Sequence, residues 1–453
     1  MSLDRLFFKY GVYLPVTLAR GERFLGYLNA FEKSQWADPA VVRDLQERKL
    51  NALVEWASTR VPLYRERIDR SRLPKRLTLD DLPALPTLSK PDLRDRASEL
   101  IVDCGERTTV KTTGGSTGQA VTVTKSRSAT AQELAAMWRG WRWGGVDIGD
   151  RQARFWGVPL SGKSRLRARL IDFVSHRHRF SAFRLSESDM AAYTTALNRF
   201  RPDYVYGYVS ILVEYANYLE SVGTRRFTPK AIIATSEVLA PQHRSAIERG
   251  FGGRVFEEYG CGELGNIAHE CAKGSLHTSA ENLVVEIVPA APDQPAGEII
   301  VTELNNLAMP LLRYRLNDFA SPIAGTCECG RTLGRIGNVF GRAYDVIYNR
   351  EGRMFHGEFF MYIFEEVKQK GLGVQRFQVT QHDFEHFTIR LQPGPGYGPD
   401  TEAFVRRRVA ESYGAYAQIA FERVESIERE RSGKLRLIIG CGKHPQGSAD
   451  GPR

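Results

Sequence analysis

The sequence predicts an α/β protein with a large N-terminal domain, residues 1–341, and a small α+β C-terminal domain, residues 342–453. From about residue 109 to residue 320, short β-rich runs alternate with helical stretches, which is typical of a sheet with helices on its faces. Residues 342–453 contain a mixture of helical and strand-like runs, and a segment of this length is normal for one domain. A chain of 453 residues also exceeds what a single core usually fills.

The individual elements follow from the spacing of apolar residues. Residues 1–100 are expected to be a mostly helical lead-in, with one helix from Asp38 to Ser58. Runs typical of strands in the large domain are Ala153–Val158, Tyr204–Tyr206, Ala231–Ala234 and Arg254–Glu257, with a hairpin over Leu283–Thr302. The small domain is expected to hold helices at Met361–Lys370 and 402–416 and strands at Arg376–Thr380, Phe387–Leu391 and Arg436–Ile439.

Composition excludes a disordered chain and a membrane-spanning one. Hydrophobic residues make up 42% of the chain and charged residues 26%. No run approaches the roughly 20 consecutive apolar residues that a membrane helix needs. The N-terminal apolar run is interrupted by Lys9 and lacks a small-residue cleavage site, so we expect no signal peptide and a cytoplasmic protein. The net charge of +10 permits an anionic ligand such as a nucleotide.

The sharpest local signal is a run of small and hydroxyl residues from Lys111 to Gln119 (KTTGGSTGQ). Small residues let the backbone approach a phosphate closely, and the hydroxyls of Thr113, Ser116 and Thr117 could donate to its oxygens. No Gly-Lys-Ser/Thr closes the run, so it is not a Walker A loop. A flexible glycine-rich turn explains the same residues.

Two acidic motifs follow predicted strands. The motif Glu257-Glu-Tyr-Gly-Cys-Gly-Glu263 comes directly after one, and a carboxylate there can ligate Mg²⁺ that bridges ATP phosphates. In Arg313-Tyr-Arg-Leu-Asn-Asp318, a strand-end aspartate can accept hydrogen bonds from both hydroxyls of a ribose. The alternatives are a solvated Glu263 and an Asp318 that caps a turn.

Two further motifs lie toward the C-terminus. Gly341-Arg-Ala-Tyr-Asp345 falls at the predicted domain boundary, and Arg431-Ser-Gly-Lys434 falls in a basic loop before the last predicted strand. A lysine in that loop can neutralise charge that develops on a transferred phosphoryl group. Taken alone, Lys434 is more simply an exposed loop lysine.

Taken together, these motifs resemble those of the adenylate-forming superfamily, which includes acyl-CoA synthetases, adenylation domains and luciferases. Their order is a Ser/Thr/Gly loop, Tyr-Gly-x-x-Glu, Arg-Tyr-Arg-x-x-Asp, Gly-Arg-x-x-Asp and Ser-Gly-Lys. The chain looks most like the phenylacetate–CoA ligase branch, which includes proteins encoded beside capsular polysaccharide genes, in residues 53–64, Ala308–Arg315 and Cys327–Arg331. Cys261 and Asn317 depart from the family pattern without removing a charged group.

The resemblance implies a two-step reaction. The carboxylate of an aryl or small organic acid attacks the α-phosphate of Mg·ATP and gives acyl-AMP and pyrophosphate. A nucleophile, usually the thiol of CoA, then displaces AMP, and the C-terminal domain rotates about a hinge between the steps. The carboxylate is already ionised at neutral pH, so positioning and electrostatics rather than a general base must supply the rate.

The resemblance also implies residue roles, by matching positions. The phosphates would be held by Thr113, Ser116, the catalytic Thr117 and Gly118. The other nucleotide contacts would come from Ser236, Glu237, Tyr259, Asp318 and Arg342. The acyl pocket would be lined by Tyr206, Gly207, Tyr208, Thr235 and Gly260. Glu263 would hold Mg²⁺, Lys434 would stabilise the adenylation transition state, and Asp345 would lie at the hinge.

A candidate set of metal ligands is Cys271, His277, Cys327 and Cys329. Three thiols and an imidazole suit tetrahedral Zn²⁺, although Cys-x-Cys is tighter than the usual Cys-x₂-Cys. In the branch named above, similar elements are associated with a structural zinc, which here would join the segment after Glu263 to the segment after Asp318. Four free side chains in loops are the alternative, and His269 is a competing ligand.

The segment from Lys163 to Arg179 is rich in Lys, Arg and His, which could indicate RNA or an anionic membrane. Leu166, Leu170 and Phe173 recur there at helical spacing, so we favour an amphipathic helix with a solvated basic face. No nucleic-acid partner and no membrane insertion are expected, and a homodimer stays open.

Two other functions remain open from the sequence. The adenylate could be transferred to an amine, a hydroxyl or a carrier protein instead of CoA. The chain could also be a non-catalytic, basic protein that binds nucleic acid or a membrane surface on this scaffold.

Overall fold

The computed structural model describes residues 3–113, 121–156, 162–181, 186–237, 239, 241–289, 297–340, 347–351, 354–355, 358–427 and 438–441. Over these ranges the protein is α/β, with one mixed sheet of eleven strands, one sheet of four strands, two two-stranded sheets and helices packed on the two larger sheets. None of the helices in these ranges is both long and apolar enough to cross a lipid bilayer.

The first hundred residues are mostly helical, as predicted. The helices are α1 (Leu3–Leu6), a π-helical turn (Phe7–Tyr13), α2 (Leu14–Ala19), α3 (Phe24–Ser34), α4 (Pro39–Arg60), α5 (Pro62–Arg67), α6 (Lys90–Asp95) and α7 (Ala97–Leu100), with 3₁₀ turns at Arg70–Arg72 and Leu79–Ala84. Helix α4 begins where the Asp38 carboxylate accepts a hydrogen bond from the Ala40 N–H at 2.8 Å. It ends before Pro62, because the residue that precedes a proline disfavours helical geometry.

A hairpin and a long helix follow. Strands β1 (Thr108–Thr113) and β2 (Val121–Ser126) are antiparallel and are joined by residues 114–120, the glycine-rich part of the first motif. Helix α8 (Arg127–Trp143) starts directly after β2, and Ser126 caps it by accepting from the Ala129 N–H. The hairpin that carries the glycine-rich segment is therefore tied to the N-terminus of a buried helix.

Eleven strands form the large sheet. They are β3 (Gln152–Trp156), β4 (Arg177–Ser181), β5 (Tyr204–Tyr208), β6 (Ala231–Thr235), β7 (Arg254–Cys261), β8 (Gly265–Glu270), β9 (Leu276–Thr278), β10 (Leu283–Pro289), β11 (Gly297–Glu303), β12 (Tyr314–Pro322) and β13 (Arg335–Phe340). Their order is β10-β11-β12-β13-β9-β8-β7-β6-β5-β3-β4. The predicted hairpin over 283–302 is confirmed as β10 and β11.

The parallel half of this sheet, β4-β3-β5-β6-β7, is connected through helices. These are α9 (Gly162–Val174), α10 (Glu187–Phe200), α11 (Val209–Val222) and α12 (Pro241–Phe251). Strand residues such as Val205 and Ile232 are fully buried with Leu212 of α11. Parallel strands covered on both faces are expected to be apolar throughout, which explains the short apolar runs in the sequence.

The small C-terminal unit has its own hydrophobic core. Its elements are β14 (Ile347–Tyr348), β15 (Met354–Phe355), α13 (Glu358–Gln369), β16 (Val374–Gln381), β17 (His386–Pro393), α14 (Pro399–Ser412), β18 (Gln418–Arg423) and β19 (Ile438–Ile439), with the four-stranded order β18-β17-β16-β19. The predicted boundary between residues 341 and 342 lies outside the described residues and stays a prediction.

Asp318 lies inside β12 and not at a strand end, so that local prediction is wrong. Strand β11 pairs Glu298 with Phe319 but Ile300 with Arg315, so the register shifts between the two pairs. The additional residues of β12 form a bulge that includes Asp318. A bulge re-aims side chains within a continuous strand, which the sequence pattern does not reveal.

The predicted amphipathic helix in the basic segment is confirmed by α9, and its basic face is solvated as predicted. Arg167 and Arg169 are exposed, as expected of a basic face. Leu166, Leu170 and Phe173 are exposed as well. Helical spacing identifies one face of a helix and does not identify what covers that face.

Candidate active site

Three parallel strands end side by side at one edge of the large sheet. Tyr208 of β5 pairs with Thr235 of β6, which in turn pairs with Glu258 of β7. Ligands of open α/β sheets bind outside the carboxyl ends of such strands. The predicted pocket residues on these strands therefore share one edge of the sheet, as the motif order implied.

Tyr206 is a core residue at this edge. Its hydroxyl donates to the Glu258 carboxylate at 2.9 Å, and the Trp141 indole N–H donates to the same carboxylate at 2.6 Å. Tyr208, two residues further on, is buried beside Trp156, with 4.1 Å between ring centroids. Alternate residues of a strand share a face, so Tyr206 and Tyr208 build one aromatic wall.

The two predicted pocket glycines are required by close packing. A Cβ atom on Gly207 would stand 2.9 Å from the Cβ of Phe155 on the neighbouring strand. A Cβ on Gly260 would overlap the carbonyl oxygen of Gly265 on β8. Both positions therefore need glycine to hold the strands together, whether or not a ligand is bound.

A tight turn follows β6 and carries Ser236 and Glu237. Ser236 has φ +69°, the left-handed region that non-glycine residues rarely adopt. The Glu237 carboxylate accepts hydrogen bonds from the Ser210 N–H at 2.7 Å and from the Ser210 hydroxyl at 2.9 Å. Desolvation raises the pKa of Glu237 to about 7, despite the opposing effect of these hydrogen bonds.

This raised pKa predicts that Glu237 makes stability depend on pH. The folded protein binds the proton more tightly than the unfolded chain, so the free energy of unfolding falls as pH rises from about 4.5 to about 7. Urea unfolding at pH 5 and at pH 8 measures the difference. Glu237→Gln is expected to lose less stability between these pH values than the wild type, whereas the exposed control Glu425→Gln should follow the wild type. Equal pH dependence of Glu237→Gln and wild type would refute the assignment.

Two predicted nucleotide contacts meet across the sheet. The Tyr259 hydroxyl on β7 donates to the Asp318 carboxylate on β12 at 2.9 Å. The two residues are far apart in sequence, and three strands lie between theirs in the order of the sheet. Asp318 lies in the bulge of β12, and its hydrogen bond with Tyr259 places a carboxylate beside an aromatic residue.

The predicted magnesium ligand, Glu263, is buried in the turn between β7 and β8. Its Oε1 accepts a hydrogen bond from the Tyr314 hydroxyl at 3.4 Å. Tyr314 lies on β12, the strand of Asp318, so Glu263 and Asp318 are brought to one region. Lys90, at the start of α6, places its Nζ 3.6 Å from the same Glu263 oxygen.

A buried ionic cluster anchors the β1–β2 hairpin. Glu133 of α8 accepts from Lys111 of β1 at 2.6 Å and from Lys125 of β2 at 2.9 Å, and Lys125 also pairs with Glu303 at 2.9 Å. Burial would raise the pKa of Glu133, but the two lysines outweigh it and hold this pKa at about 2. Glu133 therefore remains ionised and binds a lysine on each strand of the hairpin.

Glu133 also contacts the turn that carries Glu263. Gly265 has φ +75°, and a Cβ atom there would overlap the Glu133 carboxylate. The same carboxylate thus lies between the hairpin of the glycine-rich segment and the turn of the predicted magnesium ligand. Glu133, Lys125 and Lys90 were missed by sequence reasoning. No motif marks them, because single charged residues are usually solvated.

The four predicted metal ligands converge. The ligand atoms of Cys271, His277, Cys327 and Cys329 all lie within 4.8 Å of one another. The Cys271 and Cys327 sulfurs are 3.8 Å apart, and the Cys329 sulfur is 3.3 Å from His277 Nε2. Tetrahedral zinc with Zn–S bonds of about 2.3 Å requires sulfurs about 3.8 Å apart, so this donor set fits the ion.

The imidazole of His277 is prepared for metal binding. Its Nδ1 donates to the carbonyl oxygen of Leu333 at 3.2 Å, which leaves Nε2 directed at the sulfurs. Burial lowers the pKa of His277 to about 4, so the ring is neutral near pH 7, the form that binds metal. His269, the competing ligand, lies outside the cluster, and its Nδ1 stands 3.8 Å from Glu258.

Several predicted residues cannot be placed. Ser116, Thr117, Gly118, Arg342, Asp345 and Lys434 lie outside the described residues, as does the side chain of Thr113. Among the described predictions, Tyr259 and Asp318 are hydrogen-bonded, and Glu263 contacts Tyr314 on the strand that carries Asp318. Thr235 ends β6, and Ser236 and Glu237 follow it directly.

Sequence comparisons identify relatives over most of the chain. Residues 347–440 match the CapK C-terminal domain family. Protein CapK of Staphylococcus aureus is 25% identical over 418 residues, which covers 87% of this chain and 88% of that protein. A phenylacetate–coenzyme A ligase of Thermus thermophilus is 28% identical over 454 residues, which covers 89% of this chain and 97% of that protein.

The structural comparison concerns the fold. A crystal structure of 2-hydroxyisobutyryl-CoA ligase in complex with 2-HIB-AMP and CoA superposes with a TM-score of 0.61 at 19% identity, and covers 90% of this chain and 92% of that chain. The predicted fold class, a large N-terminal α/β part with a small α+β C-terminal part, is therefore confirmed.

Proposed function

Because this chain is a member of the adenylate-forming superfamily, in the branch of the phenylacetate–coenzyme A ligases and CapK, we propose that it is an ATP-dependent acid–CoA ligase. It activates an aryl or small organic acid as acyl-AMP and transfers the acyl group to the thiol of CoA. The observation that carries the proposal is that Tyr259 donates to Asp318 of β12 while Glu263 accepts from Tyr314 of the same strand.

The site supplies what the first half-reaction needs. The acid arrives as a carboxylate, so the chain has only to hold it against the α-phosphate and to offset the negative charge that builds up there. The Asp318 carboxylate is suited to accept from ribose hydroxyls, and Tyr259 places a ring beside it. The hydroxyls of Thr113, Ser116 and Thr117 are proposed to donate to the phosphates, and Glu133 holds their hairpin in position.

The residues at Glu263 fit a magnesium ion. The Glu263 carboxylate is buried, and Lys90 Nζ lies 3.6 Å from its Oε1. Such a carboxylate offers an oxygen ligand of the kind Mg²⁺ prefers. Magnesium bound there would neutralise phosphate charge. Lys434, carried by the C-terminal domain, is proposed to approach the same phosphates during adenylation, with Arg342 and Asp345 at the hinge.

CoA is the proposed acceptor because the named relatives include CoA ligases. The Tyr208 hydroxyl lies 3.0 Å from that of Tyr362 on α13, so the C-terminal unit touches the strand edge that holds the proposed acyl pocket. Transfer to an amine, a hydroxyl or a carrier-protein thiol remains the second candidate for the same adenylate.

We propose that the enzyme acts in the cytoplasm, where ATP and CoA are available. A homodimer stays a prediction.

The proposed function is tested by acid-dependent release of pyrophosphate. The purified protein is incubated with Mg·ATP and a panel of aryl and short organic acids, with and without hydroxylamine, which traps an acyl-adenylate as a hydroxamate. We expect one class of acid to raise pyrophosphate release and to yield hydroxamate. Adding CoA should then give the thioester. Absence of both ATP binding and acid-dependent turnover across the panel would contradict the proposal.

We also propose that the Cys271, His277, Cys327 and Cys329 cluster holds one structural zinc ion. Four protein ligands complete the tetrahedral coordination of zinc, so the ion has no open position for a catalytic water or a substrate. The ion would join strands β8 and β9 to the loop at 327–329, which follows β12. It would therefore fix the two segments that carry Glu263 and Asp318 relative to each other.

Zinc analysis of variants tests this site. Cys271→Ser is expected to lower zinc from about one ion per chain to near zero and to lower the melting temperature by several degrees, because a structural ion contributes folding free energy. Cys104→Ser, which changes a cysteine outside the cluster, should retain both values. The proposal is wrong if wild-type protein produced in zinc-supplemented medium carries no zinc and melts unchanged after chelation.

A further inference from the structure

The N-terminal helical segment directs its cations toward the protein and exposes several apolar side chains. Arg5 and Lys9 point toward the protein, where each pairs with Asp147, at 2.9 and 2.8 Å. On the other side, Leu3 is 85% exposed, and Phe7 and Tyr10 are each 58% exposed. A surface helix normally solvates its cations and covers its large apolar side chains. This segment instead pairs its cations with the protein and leaves three large apolar side chains exposed, while Phe8 packs on His176.

Helix α9 lies beside this segment and also exposes apolar residues. Leu166 is 72% exposed, Leu170 is 63% exposed, and Phe173 on the same face is also exposed. The rings of Phe8 and Phe173 join the two elements, with centroids 5.6 Å apart. The six exposed side chains, which we name the apolar ledge, are Leu3, Phe7, Tyr10, Leu166, Leu170 and Phe173.

Exposed cations accompany the apolar ledge. Arg167 and Arg169 lie between its two leucines along α9, and both are exposed. The acids on the two helices are engaged elsewhere, since Asp172 pairs with Arg179 at 2.8 Å and Asp4 faces His176 at 3.5 Å. The ledge thus combines large apolar side chains with positive charge, which is the composition of helices that lie in the headgroup region of a bilayer.

We propose that the apolar ledge docks this protein on an anionic lipid bilayer, with α9 and the N-terminal helices lying in the plane of the surface. Each leucine or phenylalanine would enter the boundary of the acyl chains, while Arg167 and Arg169 would contact lipid phosphates. This is attachment to a surface and not spanning, and it does not depend on the proposed ligase activity.

Charge favours a bilayer over a second copy of this chain as the occupant. The ledge is basic, and the chain as a whole carries a net charge of +10. Two copies meeting through this ledge would bring the cations of both ledges into one interface, because a twofold interface uses the same patch on each subunit. Anionic headgroups present the opposite charge at every point of the surface.

Vesicle flotation with the full-length protein tests the proposal. The protein is mixed with vesicles of phosphatidylcholine alone or with added phosphatidylglycerol. We expect flotation with the anionic vesicles only, and release as salt rises from about 0.1 M to about 0.5 M. Leu166→Ser/Leu170→Ser should weaken binding by about tenfold or more, because two leucines no longer enter the apolar layer.

Matched control variants show whether binding depends on the ledge itself or on any exposed apolar or basic residue. Val41→Ser changes an exposed apolar residue on α4 and should bind as the wild type does. Arg167→Gln/Arg169→Gln should weaken binding to anionic vesicles by about tenfold, whereas Arg48→Gln/Arg65→Gln, with the same change in net charge, should not.

Three results would overturn the proposal. The first is no flotation with any vesicle at low salt. The second is equal binding to neutral and anionic vesicles. The third is a dimer, seen by sedimentation velocity, that the Leu166→Ser/Leu170→Ser variant abolishes, because a second copy would then be the occupant. Pyrophosphate release by the same variant in solution should equal that of the wild type, so a failure of the docking proposal is distinguishable from a failure of the proposed ligase function.

Discussion

Glu263→Gln is expected to slow acid-dependent release of pyrophosphate by about 100-fold or more. The carboxylate is buried, and Lys90 and Tyr314 hold it from two sides. The amide keeps the size of the side chain but loses the charge that binds Mg²⁺, so the phosphates remain unneutralised. A higher Mg²⁺ concentration should recover part of the rate, since weakened binding of the ion is the expected defect.

A second carboxylate in the same sheet provides the control. Glu298 of β11 also pairs with a cation, Arg315, at 2.6 Å, but the proposal gives it no contact with ATP. Glu298→Gln should therefore release pyrophosphate within about twofold of the wild type. Unchanged melting temperatures would show that neither variant acts through unfolding. A Glu263→Gln protein with wild-type adenylation would remove this residue from the site.

Lys434→Ala is expected to reduce the first half-reaction by about 100-fold or more and to leave the second nearly unchanged. A lysine that approaches the phosphates offsets charge only while ATP is being cleaved. Once acyl-AMP exists, attack by the thiol of CoA develops its charge elsewhere. The two half-reactions are measured separately, by pyrophosphate release and by thioester formation from synthetic acyl-AMP.

The control for Lys434 is another lysine of the C-terminal unit. Lys368 is exposed in the last turn of α13, and Lys368→Ala should retain both half-reactions. An equal loss of both half-reactions in Lys434→Ala would indicate damage to the domain and not to the charge. Normal adenylation by that variant would show that the assignment of Lys434 is wrong.

The sequence was sufficient to predict the fold class and most elements, because periodicity directly reflects which residues are buried. Helix α4, the β10–β11 hairpin and, in the C-terminal unit, α13, β16 and β17 lie close to where spacing placed them. Strand β18 was not predicted, and the helix predicted over 402–416 runs from Pro399 to Ser412. The clustering of Cys271, His277, Cys327 and Cys329 was also predicted correctly, since three thiols and an imidazole suit a tetrahedral metal site.

Geometry between distant segments could not be predicted in the same way. Asp318 bonds Tyr259 from within a bulge of β12, and a bulge leaves no mark in an apolar pattern. Lys90 and Glu133 are single charged residues, whose usual place is the solvated surface. Their roles follow from what lies beside them in space.

The orientation of α9 shows a second limit. Leu166 and Leu170 share a face by their spacing, but the spacing is the same whether that face meets a core, another protein or a lipid surface. The N-terminal segment is similar, because Arg5 and Lys9 turn inward only where Asp147 is available. Such reversals depend on a partner that lies far along the chain.

Transfer of oxygen from the acid tests the central claim most directly. An acid labelled with ¹⁸O in its carboxylate is converted with Mg·ATP and CoA, and the phosphate products are analysed by mass spectrometry. Attack on the α-phosphate followed by displacement predicts one ¹⁸O atom in AMP and none in pyrophosphate. Label in orthophosphate, with ADP as the other product, would place the attack on the γ-phosphate and would contradict an acyl-adenylate.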